Sequence, residues 1–141
     1  MDDSGASGEA GVPPLHVPGK YLSLTTYRRD GTPVATPVWF AEDGGRLYVV
    51  TPARSHKARR LRRNPSATVA PCNARGIVKG DPTPARVAFL PESEFARVDR
   101  LMAERYRIRR KLVMPIYRLV MKLRGMPIDE YGGAYLEISA A

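Results

Sequence analysis

The chain has 141 residues, of which 43% are hydrophobic, and a formal charge of +9. That is enough for one domain with its own core. No apolar run approaches the eighteen or so residues of a spanning helix, and the N-terminus lacks the basic start and apolar core of a secretory signal. A single cysteine, Cys72, excludes an intrachain disulfide, and the expectation is a soluble, cytoplasmic protein.

The first nineteen residues hold Asp2, Asp3 and Glu9 and no Lys or Arg, and they read as a disordered tail. The remaining 23 cations and 11 acids leave residues 20–141 at +12, which favours anionic partners. Order is expected from Lys20. Tyr21 to Arg28 is rich in β-branched and aromatic residues, and Pro33 to Glu42 reads as a second strand. Asp30-Gly31 between them is a hairpin signal. Asp43-Gly44-Gly45 makes the next turn before a third strand, Arg46 to Thr51. A helix from Ser55 to Asn64 is ended by Pro65, because the residue before a proline avoids the helical region. Ser66 to Cys72 is a fourth strand, Asn73 to Gly80 an irregular segment, Arg86 to Leu90 a fifth strand and Ala134 to Ser139 the last.

Between the last two strands lies Pro91 to Arg124. Pro91, Glu92 and Glu94 suit a helix start, and Phe95, Val98, Leu101 and Met102 recur at helical spacing. Pro115 divides the stretch into a helix to about Val113 and a second near Ile116 to Leu123, with Gly125 as its cap. Ten cations against Asp99 and Glu104 occupy Arg97 to Arg124, a pattern shared by a solvated face and by a polyanion-binding or membrane-surface helix. Short strands joined by hairpins imply a mainly β (α+β) fold, a closed or half-closed barrel.

Thr51 to Pro65 carries the sharpest chemical signal. Seven of the ten residues from Arg54 to Arg63 are Lys, Arg or His. They follow a strand and surround a helix start whose N-cap is Ser55. Unpartnered N–H groups at a helix start attract anions, whereas cations there oppose the dipole. Ser55, Lys57 and Arg60 therefore form a candidate anion site. Thr36-Pro37-Val38-Trp39-Phe40 is a second candidate. Proline inside a strand belongs at an edge, which leaves nearby backbone groups to meet something other than a strand. Trp39, the single tryptophan, suits either the core or a stacked ring. His16, His56 and Cys72 compose no usual metal set, so no metal is expected, and no side chain stands out as an obligatory acid or base.

Leu24-Thr25-Thr26, Asp30-Gly31-Thr32-Pro33, Thr36-Pro37-Val38-Trp39-Phe40, Leu47-Tyr48-Val49, Ser55-x-Lys57 and Arg63-Asn64-Pro65 follow in order. This series resembles the flavin and deazaflavin reductase superfamily, the pyridoxamine-phosphate-oxidase-like split barrels, and is most similar to its actinobacterial branch that uses coenzyme F420. The resemblance implies a six-stranded split β-barrel over residues 20–141, a homodimer, and a cofactor held in a groove between subunits. It implies that Thr36, Pro37, Val38 and Trp39 line the ring system. It implies that Thr51, Arg54, Ser55 and Lys57 take the phosphate, that His56 belongs to the cofactor-binding set, and that Arg60 extends the cationic path. FMN presents one phosphate. Coenzyme F420 carries a phosphodiester and a polyglutamate tail, which the row of arginines from Arg54 to Arg63 suits better. The expected activity is hydride transfer between F420 and a small organic substrate. The alternatives are an FMN-dependent oxidoreductase, a non-catalytic flavin, F420 or tetrapyrrole binder, and a nucleic-acid or membrane binder.

Overall fold

The computed structural model describes residues 13–106 and 133–141. Its strands are β1 (Tyr21–Tyr27), β2 (Pro33–Trp39), β3 (Ala41–Asp43), β4 (Arg46–Pro52), β5 (Ser66–Cys72), β6 (Thr83–Phe89) and β7 (Gly133–Ala140). Helix α1 (His56–Arg63) lies between β4 and β5. A 3-10 turn at Glu92–Glu94 leads into α2 (Phe95–Arg105). All seven strands form one antiparallel sheet, in the order β2-β1-β5-β6-β7-β4-β3. The mainly β fold and the curled, barrel-like sheet agree with expectation. Among the described residues, no helix is long and apolar enough to cross a membrane.

The expected second strand, Pro33 to Glu42, is in fact two strands. Pro33–Trp39 pairs with β1 and Ala41–Asp43 pairs with β4, so the chain changes partner at Phe40. Val34, Thr36, Val38 and Trp39 favour a strand in the first half, whereas Ala41, Glu42 and Asp43 are poor strand formers held extended by their pairing with β4. The consequence is geometric: the two outer strands of the sheet are halves of one chain stretch. The curled sheet is closed at Phe40 by chain continuity rather than by a ladder of hydrogen bonds.

The interior follows from strand alternation. Leu22 and Leu24 of β1, Leu47 and Val49 of β4, Val69 of β5 and Leu136 and Ile138 of β7 are fully buried. Helix α1 covers one end of this interior with Ala58 and Leu61, while its cations face outward or lie along the rim. Leu15 and Val17, placed by sequence in the tail, are core residues, and Leu15 N–H donates to Gly45 O at 2.8 Å. Packing thus begins before Lys20.

Other boundaries also move. β6 starts at Thr83, three residues before Arg86, because β5 pairs with it as far as Val69↔Thr83. Helix α2 spans Phe95–Arg105, and Tyr106 leaves helical geometry (φ −116°, ψ 25°) and turns its ring inward; the rest of the expected helix, to about Val113, lies outside the described residues. The expected features at Ile116–Leu123, Pro115 and Gly125, and the first twelve residues, lie outside the described residues. The Asn73–Gly80 segment is a tight loop. Asn73 Oδ1 accepts from the N–H groups of Arg75 and Ile77, and Val78 makes a single bridge with Cys72.

Candidate functional site

The site is built where β4 passes into α1. Pro52 O accepts from Ser55 N–H at 3.0 Å, which closes the turn. Ser55 has extended geometry (φ −64°, ψ 156°), and its Oγ accepts from Ala58 N–H at 3.2 Å, the arrangement of an N-cap. Thr51, 4% exposed at the end of β4, places Oγ1 3.4 Å from that same Oγ. The expected helix start is therefore present, with two hydroxyls beside it. Helix α1 has no acid in its first turn, and its start carries His56 and Lys57 instead.

Lys57 is half-buried, and burial, followed by the nearby Arg60, lowers its pKa below the usual lysine value. Arg60 reaches across to β1, where its Nε donates to Thr26 Oγ1 at 2.7 Å. Thr26 is fully buried, so this bond fixes the guanidinium against the sheet. Burial also lowers the Arg60 pKa, and the charges of Arg28 and Arg63 lower it further. Arg63 Nη2 donates to Tyr27 O at 3.3 Å. Four cations, Lys57, Arg60, Arg28 and Arg63, thus converge from α1 and the β1–β2 hairpin. The ion pairs among the described residues join His16 to Glu42, Arg46 to Glu137, and Arg97 to Asp43 and Glu94. None of them includes these four cations. Lys57 and Arg60 are partly buried while Arg28 and Arg63 are exposed beside them, and self-repelling positive charge at a capped helix start is an arrangement that an anion would relieve.

The second candidate stretch sits next door. Among the described residues β2 is an outer strand that pairs with β1 alone, in keeping with the edge position inferred from Pro37. Register pairs Val34 with Thr26, the residue bound by Arg60. Thr36 lies two residues further along, roughly 7 Å at strand rise. Val38 packs against the core, and Pro37 is exposed on the other face, with Gly76 of the 73–80 loop beside it. Trp39 ends the strand and stacks on Tyr106, with ring centroids 5.0 Å apart and planes 11° off parallel.

The structure therefore brings Thr51, Ser55, Lys57 and Arg60 together and sets Thr36–Trp39 on the adjoining rim. Arg54 and His56 are exposed at the mouth of the turn. Thr26 and Arg28 adjoin the cluster and were missed in the sequence, and Arg63, the end of the arginine row expected to meet a polyanion, joins them. Arg28 lies in the hairpin, 32 positions from Arg60, and only the antiparallel pairing reveals that they meet. Residues of this kind fit a phosphate-bearing cofactor: hydroxyls and backbone N–H groups at a helix start, backed by Lys57, Arg60 and Arg63, which form no ion pair among the described residues, and by Arg28, whose charge is shared with Asp30 of the same hairpin.

Comparison with known proteins agrees with this architecture. The family model described as pyridoxamine 5'-phosphate oxidase matches residues 19–124. No curated protein matches the chain significantly. Among solved structures, the haem storage protein HutZ from Vibrio cholerae superposes with a TM-score of 0.60 at 17% identity, covering 86% of this chain and 82% of that one. An FAD-binding protein from Mesorhizobium loti gives 0.58 at 15%, covering 86% and 79%. A structure described as an F420 reductase gives 0.52 at 18%, covering 96% and 95%. At such identities the likeness is one of fold, and that fold carries different ligands. With more than half of its length matched by the family model, the chain belongs to the pyridoxamine 5'-phosphate oxidase family of split-barrel, flavin-binding proteins.

Proposed function

We propose that the protein is an oxidoreductase that passes a hydride between the deazaflavin coenzyme F420 and a small organic substrate. The cofactor would lie in a groove between two copies of the chain, in a cytoplasmic setting. The single observation that carries this reading is the cation cluster at the capped start of α1. Lys57 and Arg60 are partly buried there, and Arg28 and Arg63 extend the charge along the rim toward the hairpin. One phosphate is satisfied by Ser55, Lys57 and Arg60 with the α1 N–H groups. Arg28 and Arg63 are then surplus to FMN but suited to the carboxylates of a polyglutamate tail, which guanidinium groups pair bidentately. The solved structure described as an F420 reductase, matched over nearly the full length of both chains, supports the same choice.

When bound, the cofactor supplies the hydride chemistry. The protein's part is to hold the anion with Thr51, Ser55, Lys57 and Arg60, to present the β2 rim from Thr36 to Trp39 to the ring, and to exclude water. FMN is the second reading, supported by the FAD-binding neighbour. Equilibrium titration with F420 and FMN decides between them. Binding of F420 below tens of micromolar, with FMN weaker, is the expected result. Tight FMN binding without F420 binding transfers the activity to a flavoprotein. A bound cofactor that no substrate panel reoxidises identifies a carrier-binding protein without turnover.

A further inference from the structure

The closure of the sheet at Phe40 leaves a hydrogen-bonding problem. Phe40 is fully buried, yet it lies between β2 and β3 and belongs to neither ladder. Its N–H and C=O need partners that the sheet does not supply. Tyr106, the residue that ends α2, provides both. Its hydroxyl oxygen accepts from Phe40 N–H at 3.0 Å and from Arg105 Nε at 3.2 Å. Its single proton is shared between Phe40 O at 2.5 Å and Lys20 O at 2.7 Å, donated to one at a time. Arg105 strengthens the junction by donating to Gly19 O and lying over the Phe40 ring, 4.6 Å from its centroid. The ring of Tyr106 meanwhile stacks on Trp39. One side chain thus fixes the break in the rim strand and the aromatic residue next to it.

We propose that Tyr106 is a positioning residue for the cofactor groove, holding Trp39 and the Phe40 junction in the arrangement that receives the redox ring. The proposal rests on the reading above, in which Thr36–Trp39 lines that ring. Tyr106 is 3% exposed and acts through Trp39 and the strand rather than by touching the cofactor. It also makes α2 part of the site: the helix inserted before the last strand is tied to the groove by its final residues.

The test uses the full chain with Tyr106→Phe, Tyr106→Leu and, as a stability control, Val98→Ala. Val98 is buried on α2 about two turns earlier. Three quantities are read for each protein: emission of the single tryptophan without cofactor, thermal stability, and Kd for F420 and FMN. Tyr106→Phe keeps the stack but strips Phe40 of its partner. It is expected to leave Trp39 emission nearly unchanged while raising Kd about five- to tenfold, the weight of one hydrogen bond. Tyr106→Leu is expected to shift the emission to the red and to raise Kd further. Val98→Ala is expected to lower stability with wild-type Kd. Wild-type Kd in the Tyr106 variants, or an equal rise in Val98→Ala, overturns the positioning role. If Tyr106→Leu fails to fold, Tyr106→Phe decides alone. Wild-type protein that binds neither cofactor overturns the functional reading and this proposal with it, a result seen before any variant is measured.

Discussion

At the scale of single residues, Lys57 does most to join stability to binding. Burial and the neighbouring Arg60 hold its pKa below the ordinary lysine value. The unfolded chain therefore binds that proton more tightly than the folded one. Stability of the cofactor-free protein should rise with pH between the lowered folded value and the unfolded value near about 10.4. On the proposed reading the anion is held by the charged ammonium, so affinity should fall as pH rises through the lowered value of the free folded protein, and titrations at stepped alkaline pH measure both trends. Replacing the side chain separates a defined site from general surface charge. Lys57→Ala should weaken cofactor binding by about 1.5–3 kcal/mol, the scale of a charge-assisted hydrogen bond. Arg100→Ala, on an exposed α2 position, should leave it unchanged in calorimetric titration. Ser55 and Lys57 were legible in the sequence because capping is local: a serine, a following basic run and a preceding strand define it. Tyr106 was not, because 66 positions separate it from the Phe40 peptide it satisfies.

At the scale of elements, α1 was the most legible part of the chain. Its boundaries, Ser55 as N-cap and Asn64 as C-cap, follow from side-chain chemistry and from Pro65. Its stability should depend on that cap. Ser55→Ala is expected to cost about 1 kcal/mol in urea unfolding, since Ala58 N–H loses its acceptor. The same change should weaken anion binding, because the cap also sets the direction of the first N–H groups. The β2–β3 stretch was the least legible. Val34, Thr36, Val38 and Trp39 favour a strand, and so does Phe40, so sequence sees one uninterrupted run. The break arises because the partners of the two halves, β1 and β4, stand second from opposite ends of the sheet order, a tertiary fact that strand preference does not report. At the end of α2, Tyr106 departs from helical geometry where its ring stacks on Trp39, a contact between elements that helical spacing does not report.

At the scale of the whole molecule, the interior is small and shared by every layer. Leu136 of β7 lies between β4 and β6 with no exposed surface. Leu136→Ala should cost about 2–5 kcal/mol in denaturant unfolding, against a total for such a domain of about 5–15 kcal/mol. The barrel class was legible because hairpin turns at Asp30-Gly31 and Asp43-Gly44 punctuate residues with strand preference. The inclusion of Leu15 and Val17 was not, since two apolar residues in a polar, proline-rich segment resemble a tail until a groove is seen to receive them.

The outer strand β2 carries prolines at both 33 and 37. A rim so poor in N–H donors gives an incoming polypeptide little to zip onto, although its carbonyls still accept bonds from a small molecule. Fibril growth by strand addition is therefore discouraged along that margin.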